Sequence, residues 1–288
     1  MNYYKGSISD IIKRALREDI GKGDITTAAI IPEDKYVKAA LKAEENCVIC
    51  GLDTARKVFT TQDKNIEFKP HILDGQKIKK GKIIAHILGR AQGILTAERV
   101  ALNFLSLLSG VATKTRAYAD KVKPYGVKIL DTRKTIPGLR ELEKYAVRIG
   151  GGFNHRLNLD EMILIKDNHL KVIGDRLWVM GFKEIKNKIT PKIKIEVEVK
   201  TLKEFKKALK INPDIIMLDN MNLNAIKKAV KLRNNLSPIT YHLSPKLEAS
   251  GGITLKNVRA VASTGVDMIS IGALTHSINS VDISLEIF

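Results

Sequence analysis

The chain has 288 residues, 44% hydrophobic and 28% charged, which excludes a fibrous, low-complexity or intrinsically disordered chain. At ~150 residues per domain, this length suggests two domains or one barrel-sized domain with an addition. Its 49 Lys and Arg against 31 Asp and Glu give a net charge of +18, yet aromatics are only 5%; surfaces that stack bases interleave aromatics with charge, so no nucleic-acid partner is expected.

No apolar run approaches the ~18 residues of a membrane span, and residues 1–7 carry no charged-then-apolar leader, so no membrane association and a cytoplasmic location are expected. Apolar residues at Ile8, Ile11, Ile12, Ala15, Leu16 and Ile20 predict an amphipathic helix, capped by Ser7 and stopped at Gly21-Lys22-Gly23-Asp24. Alternation over 36–42 and apolar stretches at 46–50, 65–69 and 83–88 predict short strands, separated by turns such as Asp74-Gly75 and Lys80-Gly81. Cys47 and Cys50 spell C-x-x-C. A redox pair needs a helix start to lower a thiol pKa, and zinc needs two further ligands; the local sequence offers neither, so the pair reads as part of a buried strand. An α+β domain over 1–110 is expected, with a long helix from Thr96 to about Lys123 leading out of it.

Beyond this the texture changes to short apolar runs, each ending in a polar residue and followed by helical pattern. These runs are 127–130, 162–165, 193–199, 215–218, 246–249 and 268–271. Repeated β-then-α units predict a parallel sheet, and their number favours a closed or nearly closed barrel. Barrel chemistry gathers at the carboxyl ends of strands, here Asp131 to Arg133, Lys166, Glu198, Asp219, Ser250 and Gly272. A doubly wound nucleotide-binding sheet is not supported, because Gly150-Gly151-Gly152 follows a helical pattern and no phosphate-loop motif is present.

Ser250-Gly251-Gly252 follows a strand and is expected to open a helix, so its backbone N–H groups can face an anion. Ser270-Ile271-Gly272 repeats the device, and two such loops in the last units of a barrel make a phosphate site. Arg133, Arg140, Arg148 and Arg156 place four of the 13 arginines within one 24-residue window, which suits carboxylate or phosphate recognition. Thr132, Arg133, Lys134, His155-Arg156 and Lys166 through His169 offer donors, while Glu198 and Asp219 can hold a metal through oxygen or meet a developing positive charge. Together they describe a pocket for a highly anionic substrate.

Seven strings then carry a family resemblance: 18–27 (Glu18 to Thr27), 98–103 (Glu98-Arg99 to Asn103), 131–138 (Asp131-Thr132-Arg133-Lys134 to Gly138), 144–147, 150–156 (Gly150 to His155-Arg156), 164–169 (Leu164 to His169) and 248–253 (Glu248 to Ile253). In order and spacing they resemble the quinolinate phosphoribosyltransferases, or carboxylating nicotinate-nucleotide pyrophosphorylases, over nearly the whole chain. The resemblance implies an N-terminal sandwich-like α+β domain, an incomplete parallel α/β barrel over 111–275, and a final segment, 276–288, returning to the N-terminal domain. It also implies the reaction of quinolinate with phosphoribosyl pyrophosphate, with magnesium, to give nicotinate mononucleotide, pyrophosphate and carbon dioxide in NAD biosynthesis.

Carried onto this sequence, Arg133 and Arg156, with Arg99 donated across a homodimer that shares its active sites, would hold the quinolinate carboxylates beside His155 and Thr132. Lys134 and Lys166 would neutralise the pyrophosphate and the neighbouring carboxylate, and Glu198 and Asp219 would face the ribose and its metal. Ser250, Gly251, Gly252, Ser270, Ile271 and Gly272 would bind the 5′-phosphate. A hexamer is the alternative assembly. Residues 237–245 form a longer stretch than the family usually has, which bears on assembly more than on activity. Rival readings are a transferase for another pyridine carboxylate, an aldolase-like barrel with Lys166 as Schiff-base lysine, and a basic nucleic-acid-binding protein.

Overall fold

The computed structural model describes residues 5–174, 187, 192–235 and 244–288. In chain order the elements are α1 (Lys5–Ile20), α2 (Ile25–Ile30), β1 (Tyr36–Ala43), β2 (Cys47–Val48), α3 (Leu52–Gln62), β3 (Glu67–Pro70), β4 (Lys77–Ile78), β5 (Ile83–Arg90) and α4 (Ala91–Val122). There follow β6 (Lys128–Leu130), α5 (Arg140–Ile149), β7 (Met162–Ile165), α6 (Asp167–Ile173), β8 (Lys194–Val199), α7 (Leu202–Ile211) and β9 (Ile215–Asp219). The last are α8 (Leu223–Asn234), β10 (Lys246–Ser250), α9 (Val258–Ala262), β11 (Met268–Ser270), α10 (Ala273–His276) and β12 (Ile283–Ile287).

Two compact units result, Met1–Arg116 with Ile136–Gly151 and Ser277–Phe288, and Ala117–Thr135 with Gly152–His276. The division is interleaved, whereas the sequence texture suggests a single cut near residue 110. Within the first unit α5 is tied by long-range bonds: Arg116 donates to the carbonyls of Gly150 (2.8 Å) and Ile149 (3.2 Å), and the Tyr145 hydroxyl donates to Asp74 (2.7 Å).

In the first unit an antiparallel sheet runs β12-β1-β5-β3, and the final segment enters it as an edge strand, with Leu41 opposite Leu285. The α1 helix buries Ile12 and Leu16, one turn apart, and ends as the Gly21 N–H bonds the Arg17 carbonyl with Gly21 at φ +58°. Its first residue is Lys5, so Ser7 lies inside the helix and not at its cap. Asp24 caps α2 instead, accepting from the Thr27 N–H (3.0 Å) and hydroxyl (2.5 Å); these bonds to the charged form hold its carboxyl below the usual range. By length and composition α4 could cross a membrane, contrary to the sequence reading of its apolar run, but 61% of its most apolar stretch is buried inside the protein, as in a core helix.

The α3 helix is absent from the sequence reading because its cap is not local. Gly51 precedes it in a left-handed conformation, and the Gly51 and Leu52 N–H groups donate to Asp74 at 3.0 and 3.2 Å. Cys50 therefore does stand just before a helix start. Both thiols are nonetheless buried and free, and burial pushes Cys47 up to about 11 and Cys50 further still, with the charge of Asp74 adding to the latter. Neither is a thiolate at neutral pH.

In the second unit all six strands are parallel, in the order β6-β11-β10-β9-β8-β7. The cyclic order breaks between β6 and β7, so the sheet is an incomplete α/β barrel. Ile195, Val197, Ile216, Leu218, Leu247 and Ile269 are buried in it, each such side chain contributing roughly 1.5–3 kcal/mol. Residues 236–243 lie outside the described residues, and with them all of the long stretch 237–245 except Ser244 and Pro245.

Candidate functional site

Register sets the site. Asp219, Ser250 and Ser270 end β9, β10 and β11 and are Cα partners across the sheet, so their side chains leave the same edge. One row inside, Glu198 pairs with Met217 and Met217 with Glu248. Period-2 alternation along β8 then puts Glu196 on the same face as Glu198. Around these ends lies a cavity of about 630 Å³ lined by Thr132, Arg133, Lys134, His155, Arg156, Lys166, Glu198, Asp219, Ser250, Gly251, Gly252, Ser270, Ile271 and Gly272. Of the other groups that the sequence offers in the barrel, Asp131, Arg140, Arg148 and Asp167 through His169 do not line it. Arg99 stands exposed on α4 in the first unit and does not line it.

The segment after β6 is anchored by Asp131, which is fully buried and accepts from the His155 N–H (2.9 Å) and the Asn154 amide (2.5 Å). Arg156 Nη1 donates to the Met162 carbonyl (2.8 Å). Burial, and next the charge of Arg133, push the Arg156 pKa down, so two guanidiniums stand close enough to repel; an anion with two carboxylates relieves that repulsion. In the same cavity burial pushes the Glu198 carboxyl up, Lys166 opposes the shift and Asp219 adds to it. Lys166 Nζ lies 3.6 Å from Glu198 Oε2. Lys166 is the N-cap of α6, and its N–H donates to His169 Nδ1 (2.9 Å); His169 is thus a capping group and not a pocket donor.

At the phosphate loops the backbone is specific. Gly251 and Gly252 have φ of +88° and +63°, and a Cβ on Gly251 would collide with the Asn220 side chain, so glycine is required there. The Asn257 side chain ties the loop, donating to the Gly252 carbonyl (2.8 Å) and accepting from the Thr254 N–H (2.8 Å). The expected helix opening is displaced, because α9 begins only at Val258 and the intervening residues form turns. Gly272, by contrast, leads straight into α10. Ser270 is 2% exposed with its hydroxyl beside buried Glu248, which leaves backbone N–H groups to face an anion there.

Sequence reading missed Asn220, Thr254 and His276, which also line the cavity, and Lys200, whose Nζ donates to Asp167 (2.7 Å) beside it. Asn220 carried a signal, a residue tolerant of positive φ directly after Asp219; it adopts φ +53°. Among the described residues, His155, Glu196 and Glu248 alone bring three potential metal-ligating atoms within 4.8 Å of one another.

Family comparisons agree with this geometry. Residues 24–109 match the N-terminal domain of quinolinate phosphoribosyl transferase and residues 111–286 its C-terminal domain. The chain is 44% identical over 279 residues to a probable carboxylating nicotinate-nucleotide pyrophosphorylase of Methanocaldococcus jannaschii, covering 96% of each. It is 40% identical over 283 residues to the carboxylating nicotinate-nucleotide pyrophosphorylase of Mycobacterium leprae, again covering 96% of each. The crystal structure of nicotinate-nucleotide pyrophosphorylase from Ehrlichia chaffeensis superimposes with a TM-score of 0.90 at 39% identity, covering all of both chains. With both domain models in order over nearly every residue, the chain belongs to the quinolinate phosphoribosyl transferase family.

Proposed function

We propose that this enzyme transfers the phosphoribosyl group of phosphoribosyl pyrophosphate to quinolinate and decarboxylates the product, giving nicotinate mononucleotide, pyrophosphate and carbon dioxide for NAD biosynthesis in the cytoplasm. The observation that carries the reading is one cavity in which Arg133, Arg156, Lys134 and Lys166 converge on the same space as Glu198 and Asp219. The ring nitrogen attacks C1 of the ribose as the bond to pyrophosphate breaks and its electron pair departs with the leaving group. Positive charge grows at C1 and negative charge on the pyrophosphate, so carboxylates facing the ribose and lysines facing the leaving group would act where charge develops. Loss of carbon dioxide then leaves a pair at ring C2, stabilised by the adjacent pyridinium and quenched by a proton. Placement of the parts supplies much of the remainder.

Two carboxylates with oxygen donors only, Glu198 and Asp219, fit a hard divalent ion shared with substrate phosphates, and magnesium belongs to this reading. Bound there, the ion supplies charge neutralisation for the leaving pyrophosphate. Incubating the protein with quinolinate, phosphoribosyl pyrophosphate and magnesium, and identifying the product by mass, tests the assignment. A product that still carries the 2-carboxylate, or no product, overturns it.

The exposed Arg99, which is not among the lining residues, is accounted for by a homodimer in which the partner subunit's Arg99 completes the quinolinate site. Mixing inactive Arg99→Ala with inactive Glu198→Ala should then restore part of the activity once subunits exchange, because each mixed dimer has one site free of both lesions. Mass-verified heterodimers without recovered turnover would place the whole site within one chain.

A further inference from the structure

Beneath the cavity floor lies a set of buried polar groups that the reaction as described does not use. Glu196 on β8 and Glu248 on β10, with β9 between them, are fully buried, and the His155 side chain, 7% exposed, projects toward both. His155 Nε2 lies 3.0 Å from Glu196 Oε2 and 3.8 Å from Glu248 Oε2. On its other side the ring accepts at Nδ1 from the Arg156 backbone N–H, at 2.8 Å. An acceptor nitrogen carries a lone pair and no proton, so the ring is the neutral Nε2–H tautomer, with Nδ1 bonded to the backbone and Nε2 lying against the two buried carboxylates.

The site reading has His155 beside the substrate carboxylates, but its Nδ1 is bonded to the Arg156 N–H and its Nε2 is turned to the buried Glu196 and Glu248. We propose that Glu196 and Glu248 are positioning residues that hold His155 in the Nε2–H form so that its Nδ1 fixes the backbone of Arg156 and thereby aims that guanidinium at the substrate. Asp131 fixes the preceding peptide through the His155 N–H, so the backbone leading into Arg156 is held at two successive N–H groups. Burial, and then the neighbouring charge of Glu196, push Glu248 above the ordinary carboxyl range. A ring buried between a backbone N–H and two carboxylates has little freedom to turn, and rigidity is what places a charged fork on a small ring.

The inference rests on the cavity being the quinolinate site. Its test is steady-state kinetics of the full chain carrying His155→Ala, Glu196→Ala, or both. We expect each single variant to raise the quinolinate KM by roughly tenfold or more, with the KM for phosphoribosyl pyrophosphate moving less than about threefold. The double variant should be no worse than the worse single one, since both act through one ring. Glu196→Gln, whose amide oxygen keeps an acceptor against Nε2–H, should recover part of the loss. Losses that multiply in the double variant, or that fall equally on both substrates, overturn the proposal while leaving the assigned reaction intact. If the alanine variants do not fold, nitrogen-15 spectra of wild-type imidazoles decide: Nε2–H with bare Nδ1 is expected, and a doubly protonated or Nδ1–H ring at neutral pH overturns it. A divalent metal that survives dialysis and is lost in Glu248→Gln overturns it as well.

Discussion

Lys166→Met should lower kcat by on the order of 10²–10³ while changing the quinolinate KM far less, because in the proposed reaction its ammonium meets charge that appears only as pyrophosphate departs. Methionine keeps the stem and removes the charge, so the loss reports electrostatics and not packing. The geometry supports a fixed position: Lys166 caps α6, its N–H is held by His169, and its Nζ lies 3.6 Å from Glu198. Lys166→Arg should restore part of the turnover, since a second cation can serve the leaving group. A Schiff-base lysine gives the opposite pattern, because guanidinium forms no imine, and borohydride with a carbonyl substrate would then trap the wild-type chain. A kcat within about threefold of wild type in Lys166→Met would remove this lysine from the leaving-group side.

Strand ends were the most legible part of this molecule. Each of the six apolar runs is a barrel strand, and the polar residue closing it lines or abuts one cavity, because a parallel sheet with helices on its outside has a single edge where polar side chains can converge. Features that depend on residues distant in sequence were not legible. The α3 helix takes its cap from Asp74, which reads locally as half of a turn. Glu196 and Glu248 sit inside apolar runs where a charged residue has no local explanation, and only the pairing of β8, β9 and β10 shows that they face one histidine. The loop at Ser250 looked like a helix entrance because glycine commonly precedes helices, but the turn held by Asn257 delays α9 to Val258. Chemistry was therefore easier to read than its support: ligand-facing groups sit at element ends, whereas supporting groups are defined by tertiary neighbours.

Quinolinate should be preferred to nicotinate by about 100-fold or more in kcat/KM, and the preference should come from the paired guanidiniums. Nicotinate differs only in lacking the carboxylate at ring position 2, so a site that merely recognised the ring would accept both. In this cavity Arg133 and Arg156 stand near enough for the charge of one to depress the pKa of the other, and Arg156 is half-buried. A ligand with one carboxylate leaves one fork unpaired and the repulsion between the two unrelieved. Leaving a buried charged donor without its partner costs about 1–3 kcal/mol or more, which is roughly tenfold to more than a hundredfold in binding. Arg156→Ala should therefore narrow the discrimination mainly by damaging the use of quinolinate, with nicotinate turnover little changed from its low level. Competition between the two acids at equal concentration, with products separated by chromatography, measures the ratio directly. If the wild-type protein ribosylates both acids equally well, the arginine pair does not select the 2-carboxylate, and a transferase for another pyridine carboxylate becomes the better reading of this same cavity.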